Sequence, residues 1–155
     1  MNIGIDLGTY NSAAAVVVGH QIVMVEPNVV QDDKYAKNFP SFVLFGKKGE
    51  KLQVGVLAKE MLASNPKSVI WGVKRLVGIS HAKAEESHET ERFKYGLARA
   101  NNGGVIINVG AKEYTPAYVL QLILEEIKAN AEDQTVNPNL DGVIEKTIVS
   151  VPAYF

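Results

Sequence analysis

The chain of 155 residues contains no cysteine. That absence excludes a disulfide framework, a thiolate metal site and a cysteine nucleophile. Long apolar runs are missing too. The longest is Ala13 to Val18, far short of the roughly 20 residues that a membrane-spanning helix needs. Neither sign of charge is in excess: 16 basic side chains face 17 acidic ones, for a net charge of −1. The strongly basic face of a nucleic-acid binder is therefore not expected. His20, His81 and His88 stand far apart and give no metal-ligand spacing. Ser12, Ser41 and Ser150 have no His/Asp constellation near them, so a hydrolytic triad is not supported. There is no Gly-Lys-[Ser/Thr] phosphate loop and no Gly-x-Gly-x-x-Gly dinucleotide fingerprint. The first residues, Met-Asn-Ile-Gly-Ile-Asp, put an acid where a secretory signal needs basic and then apolar residues. The expected location is cytoplasmic.

What is present is ordinary globular material. Hydrophobic residues make up 46% and charged residues 21%, which excludes disorder over most of the chain. Apolar Ile3 and Ile5, the run Ala13 to Val18, and Gln21 to Val25 read as strands, with turns at Gly8-Thr9-Tyr10 and Gly19-His20. The Ala13 to Val18 run does not alternate, which predicts burial on both faces. Residues 26 to 40 look irregular. Ser41 to Phe45 and Lys51 to Val54 predict a second hairpin across Gly46 to Gly49, and Val56 to Ala63 a short helix stopped by Asn65-Pro66. Val69 to Val77 carries apolar residues at roughly helical spacing, with Trp71 as a packing residue. Residues 80 to 95 are charge-rich with both signs and read as a solvated excursion. Ile106 to Val109 and Lys112 to Tyr114 predict a third hairpin. Thr115 is a good N-cap with Pro116 at the first helical position. Val119, Leu120, Ile123, Leu124, Ile127 and Ala131 then share one face of a long helix ended by Asn137-Pro138, and form core. Lys146 to Val151 is a last strand. Strands mixed with a crossover helix imply an α/β sheet. A β-rich strand followed by Pro152-Ala153-Tyr154-Phe155, with no polar tail, is not how a finished domain usually stops. The chain is expected to be a piece of something longer.

The segment with the most chemistry is Ile3-Gly4-Ile5-Asp6-Leu7-Gly8-Thr9-Tyr10-Asn11-Ser12. An acid ends a strand, and a glycine turn with hydroxyl and amide residues follows. Gly8 lets the backbone approach a ligand closely, and the N–H groups from Gly8 to Asn11 can converge on anionic oxygens. Asp6 can orient hydrated Mg²⁺, which keeps several waters and takes few carboxylates. On spacing alone, an ordinary hairpin with an Asp-Leu-Gly turn fits as well. Lys74, beside Arg75, reads on its own as a solvated surface lysine, and Pro152 as a strand terminator.

Ile3 to Ser12 followed by Ala13 to Val18 resembles the first phosphate motif of the actin-like ATPase superfamily. Within it the chain looks most like the seventy-kilodalton heat-shock chaperones of the DnaK type. Three further segments agree, in family order and spacing over the whole chain. Phe39-Pro40-Ser41 resembles the family's Thr-Pro-Ser. Val73-Lys74-Arg75-Leu76-Val77-Gly78 resembles its Ile-Lys-Arg-Leu-Ile-Gly. Ile148 to Phe155 resembles its Val-Pro-Ala-Tyr-Phe strand. The first motif is shared with filament-forming actin relatives and with small-molecule kinases, which are the alternative readings; the later two segments are more specific.

The resemblance implies a partial ribonuclease-H-like, actin-like ATPase fold. Residues 1–36 and 115–155 would be the first part of inner subdomain IA, and residues 37–114 the inserted outer subdomain IB. It implies ATP or ADP with Mg²⁺ as cofactors. Asp6 would stand near the Mg²⁺ and its waters, and Gly8 and Thr9 would wrap the β- and γ-phosphates, followed by Tyr10 and Asn11. Lys74 would be the catalytic lysine, since an ammonium suits charge that develops on a transferring phosphoryl group. Pro152 would be a switch relaying nucleotide state. The implied partners are unfolded polypeptides, a J-domain co-chaperone and a nucleotide-exchange factor, all through parts beyond this chain, with no nucleic acid and no membrane. The piece by itself would not hydrolyse ATP. One position departs from the family, which usually has two threonines after the glycine where this chain has Thr9-Tyr10. The backbone donors are retained, and Tyr10→Thr is expected to change turnover more than ATP affinity.

Overall fold

The computed structural model describes residues 1–29 and 37–151. Among these residues, three sheets and one long helix make up the architecture. The largest sheet has strand order β11-β1-β2-β3, from Lys146–Ser150 (β11), Asn2–Asp6 (β1), Asn11–Val18 (β2) and Gln21–Met24 (β3). A short strand, Asn38–Pro40 (β4), adds to β2 antiparallel, with Ser12 opposite Phe39. β1 and β2 pair antiparallel, as their tight turn requires. β1 and β11 pair parallel, with Asp6 opposite Ser150, so both carboxyl ends lie together.

β1 alternates, with Ile3 and Ile5 buried and Asn2, Gly4 and Asp6 exposed. β2 alternates as well, against the expectation of burial on both faces. Ala14 and Val16 are buried, but Val17 is 65% exposed. Its small and β-branched run hides a period of two that tertiary packing restores. The buried set shares one apolar core with Val119, Leu120, Ile123 and Ile127 of helix α4, Pro116–Glu132. Thr115 caps this helix, its Oγ1 accepting from Tyr118 N at 3.2 Å, and Pro116 opens it. It ends at Glu132, before Asn137-Pro138, because the side chain of Asp133 turns the chain by accepting from Thr135 N and Thr135 Oγ1. Those bonds hold the Asp133 carboxyl below the usual range. Asn137 then ties the helix end back to the strand edge, exchanging bonds with Glu26 N and O and donating to Asn130 O.

The predicted second hairpin forms from Phe42–Phe45 (β5) and Lys51–Val54 (β6), and Val56–Glu60 (α1) follows. The predicted third hairpin forms from Val105–Val109 (β9) and Lys112–Tyr114 (β10), joined by an unforeseen strand, Gly96–Arg99 (β8). Two expectations fail between these hairpins. Val69 to Val77 is not a helix. Val69–Trp71 is a strand (β7) that pairs with β5, Phe42 opposite Trp71. Its β-branched Val69 and Ile70 suit a sheet, and Gly72, at φ 70°, breaks the strand into a 3-10 turn, Val73–Arg75. Residues 80 to 95 are not simply a solvated excursion. They form helices His81–Glu86 (α2), capped by Ser80, and Glu89–Arg92 (α3), and they bury Glu89, Phe93 and Tyr95.

Candidate functional site

Asp6 ends β1 at the carboxyl edge of the parallel pair, where open α/β sheets place their ligands. Its Oδ1 accepts from Ser150 Oγ at 2.7 Å, across the β1–β11 ladder. Nothing in the local sequence points to Ser150; only the register of the two strands brings it there.

The turn after Asp6 is closed by a ring of hydroxyl bonds. Gly8 N donates to Ser12 Oγ at 3.2 Å, and Ser41 Oγ donates to Gly8 O at 2.9 Å. The two hydroxyls are 2.9 Å apart. Because Ser41 spends its proton on Gly8 O, Ser12 is the donor between them. Both serines are 1% exposed, and Ser41 N also donates to Tyr10 O. The β4 pairing is what delivers Ser41 to the turn, which gives the Phe39-Pro40-Ser41 segment a structural task. Gly8 is required by this geometry: a Cβ there would lie 1.8 Å from Asn11 O. The close approach is first of all to the chain's own backbone.

Lys74 joins this turn from 67 residues away. It sits in the 3-10 turn after β7, half-buried, and its Nζ donates to the carbonyl of Leu7. The surface-lysine reading therefore does not describe it. Its neighbour Arg75 forms a bond of 2.6 Å to Glu89 Oε1, while Arg92 pairs with Glu89 Oε2 at 2.9 Å. Burial pushes the Glu89 carboxyl up, and the two guanidiniums outweigh it, leaving it below the usual range. Burial and the Glu89 charge together push the Tyr95 hydroxyl well above its ordinary value.

The structure thus gathers Asp6, Gly8, Thr9, Tyr10, Asn11 and Lys74 around one turn. Asp6, Tyr10 and Asn11 are exposed and Thr9 is half-buried. Pro152 lies outside the described residues. Among the described residues no three His, Asp or Glu side chains converge on a cation position. What this site offers a metal is one exposed carboxylate, which suits a hydrated Mg²⁺ held mainly through water and phosphate. An acid, a fixed ammonium and a tight glycine turn at a carboxyl sheet edge together fit a Mg²⁺-bound phosphate chain.

Comparison with known proteins agrees with the local motifs. The family model for Hsp70 protein matches residues 2–155. A heat shock 70 kDa protein, mitochondrial, of Pisum sativum is 36% identical over 99% of this chain. A protein of the same name from Solanum tuberosum is 35% identical over the same share. The chain spans 21% of the length of each. Both relatives are mitochondrial by name, which overturns the cytoplasmic expectation.

Proposed function

The chain belongs to the Hsp70 family, and on that premise we propose that it is the opening part of the nucleotide-binding domain of an ATP-driven chaperone. In this reading residues 1–36 and 115–155 contribute to the inner subdomain and residues 37–114 form the outer insertion. Asp6 orients the waters of a Mg²⁺ ion, the turn receives phosphate oxygens on its backbone N–H groups from Thr9 to Asn11, the Gly8 N–H being held by Ser12 Oγ, and Lys74 acts on the transferred phosphoryl group. The bound Mg·ATP supplies the electrophilic phosphorus and the charge neutralisation around it. The chain's own part is to present a fixed ammonium and a preformed loop, so that little reorganisation is needed when charge develops. Unfolded polypeptides, a J-domain co-chaperone and an exchange factor are the partners of the full-length protein, and hydrolysis controls its hold on polypeptide.

The observation that carries the reading is the bond from Lys74 Nζ to Leu7 O. It brings a cation to the one turn whose sequence suits phosphate. The test is Lys74→Met in the full-length protein, with calorimetric titration of Mg·ATP and single-turnover hydrolysis. Loss of one charge-stabilising donor is expected to lower hydrolysis about 10²- to 10³-fold while ATP affinity changes by only about threefold. Unchanged hydrolysis would remove Lys74 from the chemistry. A full-length protein that binds no ATP would sink the reading altogether.

A further inference from the structure

The ring of Tyr10 has no part in the phosphate turn's own bonding. It leaves the turn and stacks on Trp71, with centroids 5.5 Å apart and planes 29° from parallel. Trp71 also lies against Phe42 at 6.1 Å and meets Phe93 edge-on at 5.1 Å. Its carbonyl accepts from the buried Tyr95 hydroxyl at 2.5 Å. Only Gly72 and Val73 separate Trp71 from Lys74. Gly72 holds a left-handed conformation, and a Cβ there would lie 2.7 Å from the Phe93 ring. The indole and the backbone of Lys74 therefore belong to one short, firmly seated segment. Two fastenings join that segment to the β1–β2 turn: the Tyr10–Trp71 stack and the Lys74–Leu7 hydrogen bond.

We propose that Tyr10 is a positioning residue for Lys74: its stack on Trp71 sets the distance between the phosphate turn and the lysine. The inference rests on the phosphate-site reading above and adds a residue that acts through another. A lysine on a four-carbon stem samples many rotamers. Its ammonium is placed reproducibly only when the backbone that carries it is held against the target. An aromatic stack does this with a large contact area and few rotatable bonds.

The test uses the full-length protein labelled with 5-fluorotryptophan, the Trp71 resonance being identified by its loss in Trp71→Phe. Tyr10→Thr is expected to shift the Trp71 fluorine resonance without nucleotide and to lower single-turnover hydrolysis about five- to tenfold, the size of one aromatic pair. The Kd for Mg·ATP should stay within about twofold. Tyr10→Phe, which keeps the ring, should restore most of the lost rate. In a Lys74→Met background, Tyr10→Thr should cost nothing more, because the residue it positions is gone. If Tyr10→Thr does not fold, Tyr10→Leu removes the stack while keeping the bulk. The proposal is overturned if Tyr10→Phe is as impaired as Tyr10→Thr, if affinity and rate fall together, or if the loss persists in the Lys74→Met background. Normal ATP binding with no dependence on the ring would sink this inference alone. An absence of ATP binding would sink the site reading beneath it.

Discussion

The sheet that carries Asp6 and the segment that carries Lys74 share one apolar core and differ in what is added to it. Around β1, β2 and α4 the contacts are apolar and face-wide: Ile3, Ile5, Ala14 and Val16 share a core with Val119, Ile123 and Ile127. The segment from Val69 to Tyr95 joins that core through Ile70, Val73, Leu76 and Phe93 and adds individual, directional contacts. Trp71 stands among Tyr10, Phe42 and Phe93, and one buried carboxylate, Glu89, lies between Arg75 and Arg92. An apolar face tolerates small shifts, because hydrophobic burial has no direction. A stacked ring or a paired carboxylate has one good geometry. On the reading proposed above the difference suits two tasks: the sheet is a platform, and the added contacts set where a single ammonium sits relative to it.

Perturbations that strike one region and spare the other sharpen this contrast. The largest stability effect is expected at Ile127→Ala, since Ile127 is 0% exposed in the shared core. Urea unfolding should show a loss of about 2–5 kcal/mol, and the loss should not vary with pH. Glu89→Gln comes next, at about 1–3 kcal/mol, as expected for hydrogen bonds to charged groups, and its cost should depend on pH. The folded chain keeps Glu89 ionised to lower pH than the unfolded chain does. Its contribution is therefore whole above the ordinary value of 4.5, shrinks as the pH falls below that, and is gone beneath the folded value. The gap in unfolding midpoint between the two proteins should narrow in acid. A gap that stays constant with pH would place the cost in packing, and the two regions would not differ as described. The smallest effect is expected at Thr115→Ala, about 1 kcal/mol for a lost N-cap, read from the same unfolding curves.

How much of this was legible beforehand follows from the same division. The helix from Thr115 and the hairpins could be read because capping chemistry, turn glycines and same-face spacing are local properties. Val69 to Trp71 was misread because three β-branched and aromatic residues fit a helical face as well as a strand; the open edge of β5 decided between them. The charged stretch after residue 80 was misread because composition cannot tell a solvated glutamate from Glu89, whose partners sit 14 residues back and 3 residues on. At the site, Asp6, Gly8 and Lys74 stood out through their motifs. Ser12, Ser41 and Ser150 did not, because what they do depends on strand register.

The sequence by itself determined the family and the order of most elements, and it singled out the residues proposed for phosphate, because each is carried by short patterns of neighbouring residues. Only the tertiary structure decided that Lys74 meets Leu7, that Ser41 closes the turn on Gly8 and that Tyr10 stacks on Trp71. Those contacts join positions 67, 33 and 61 apart in the chain. Pairings at that range are fixed by how sheets and turns pack against one another, and no local pattern encodes them.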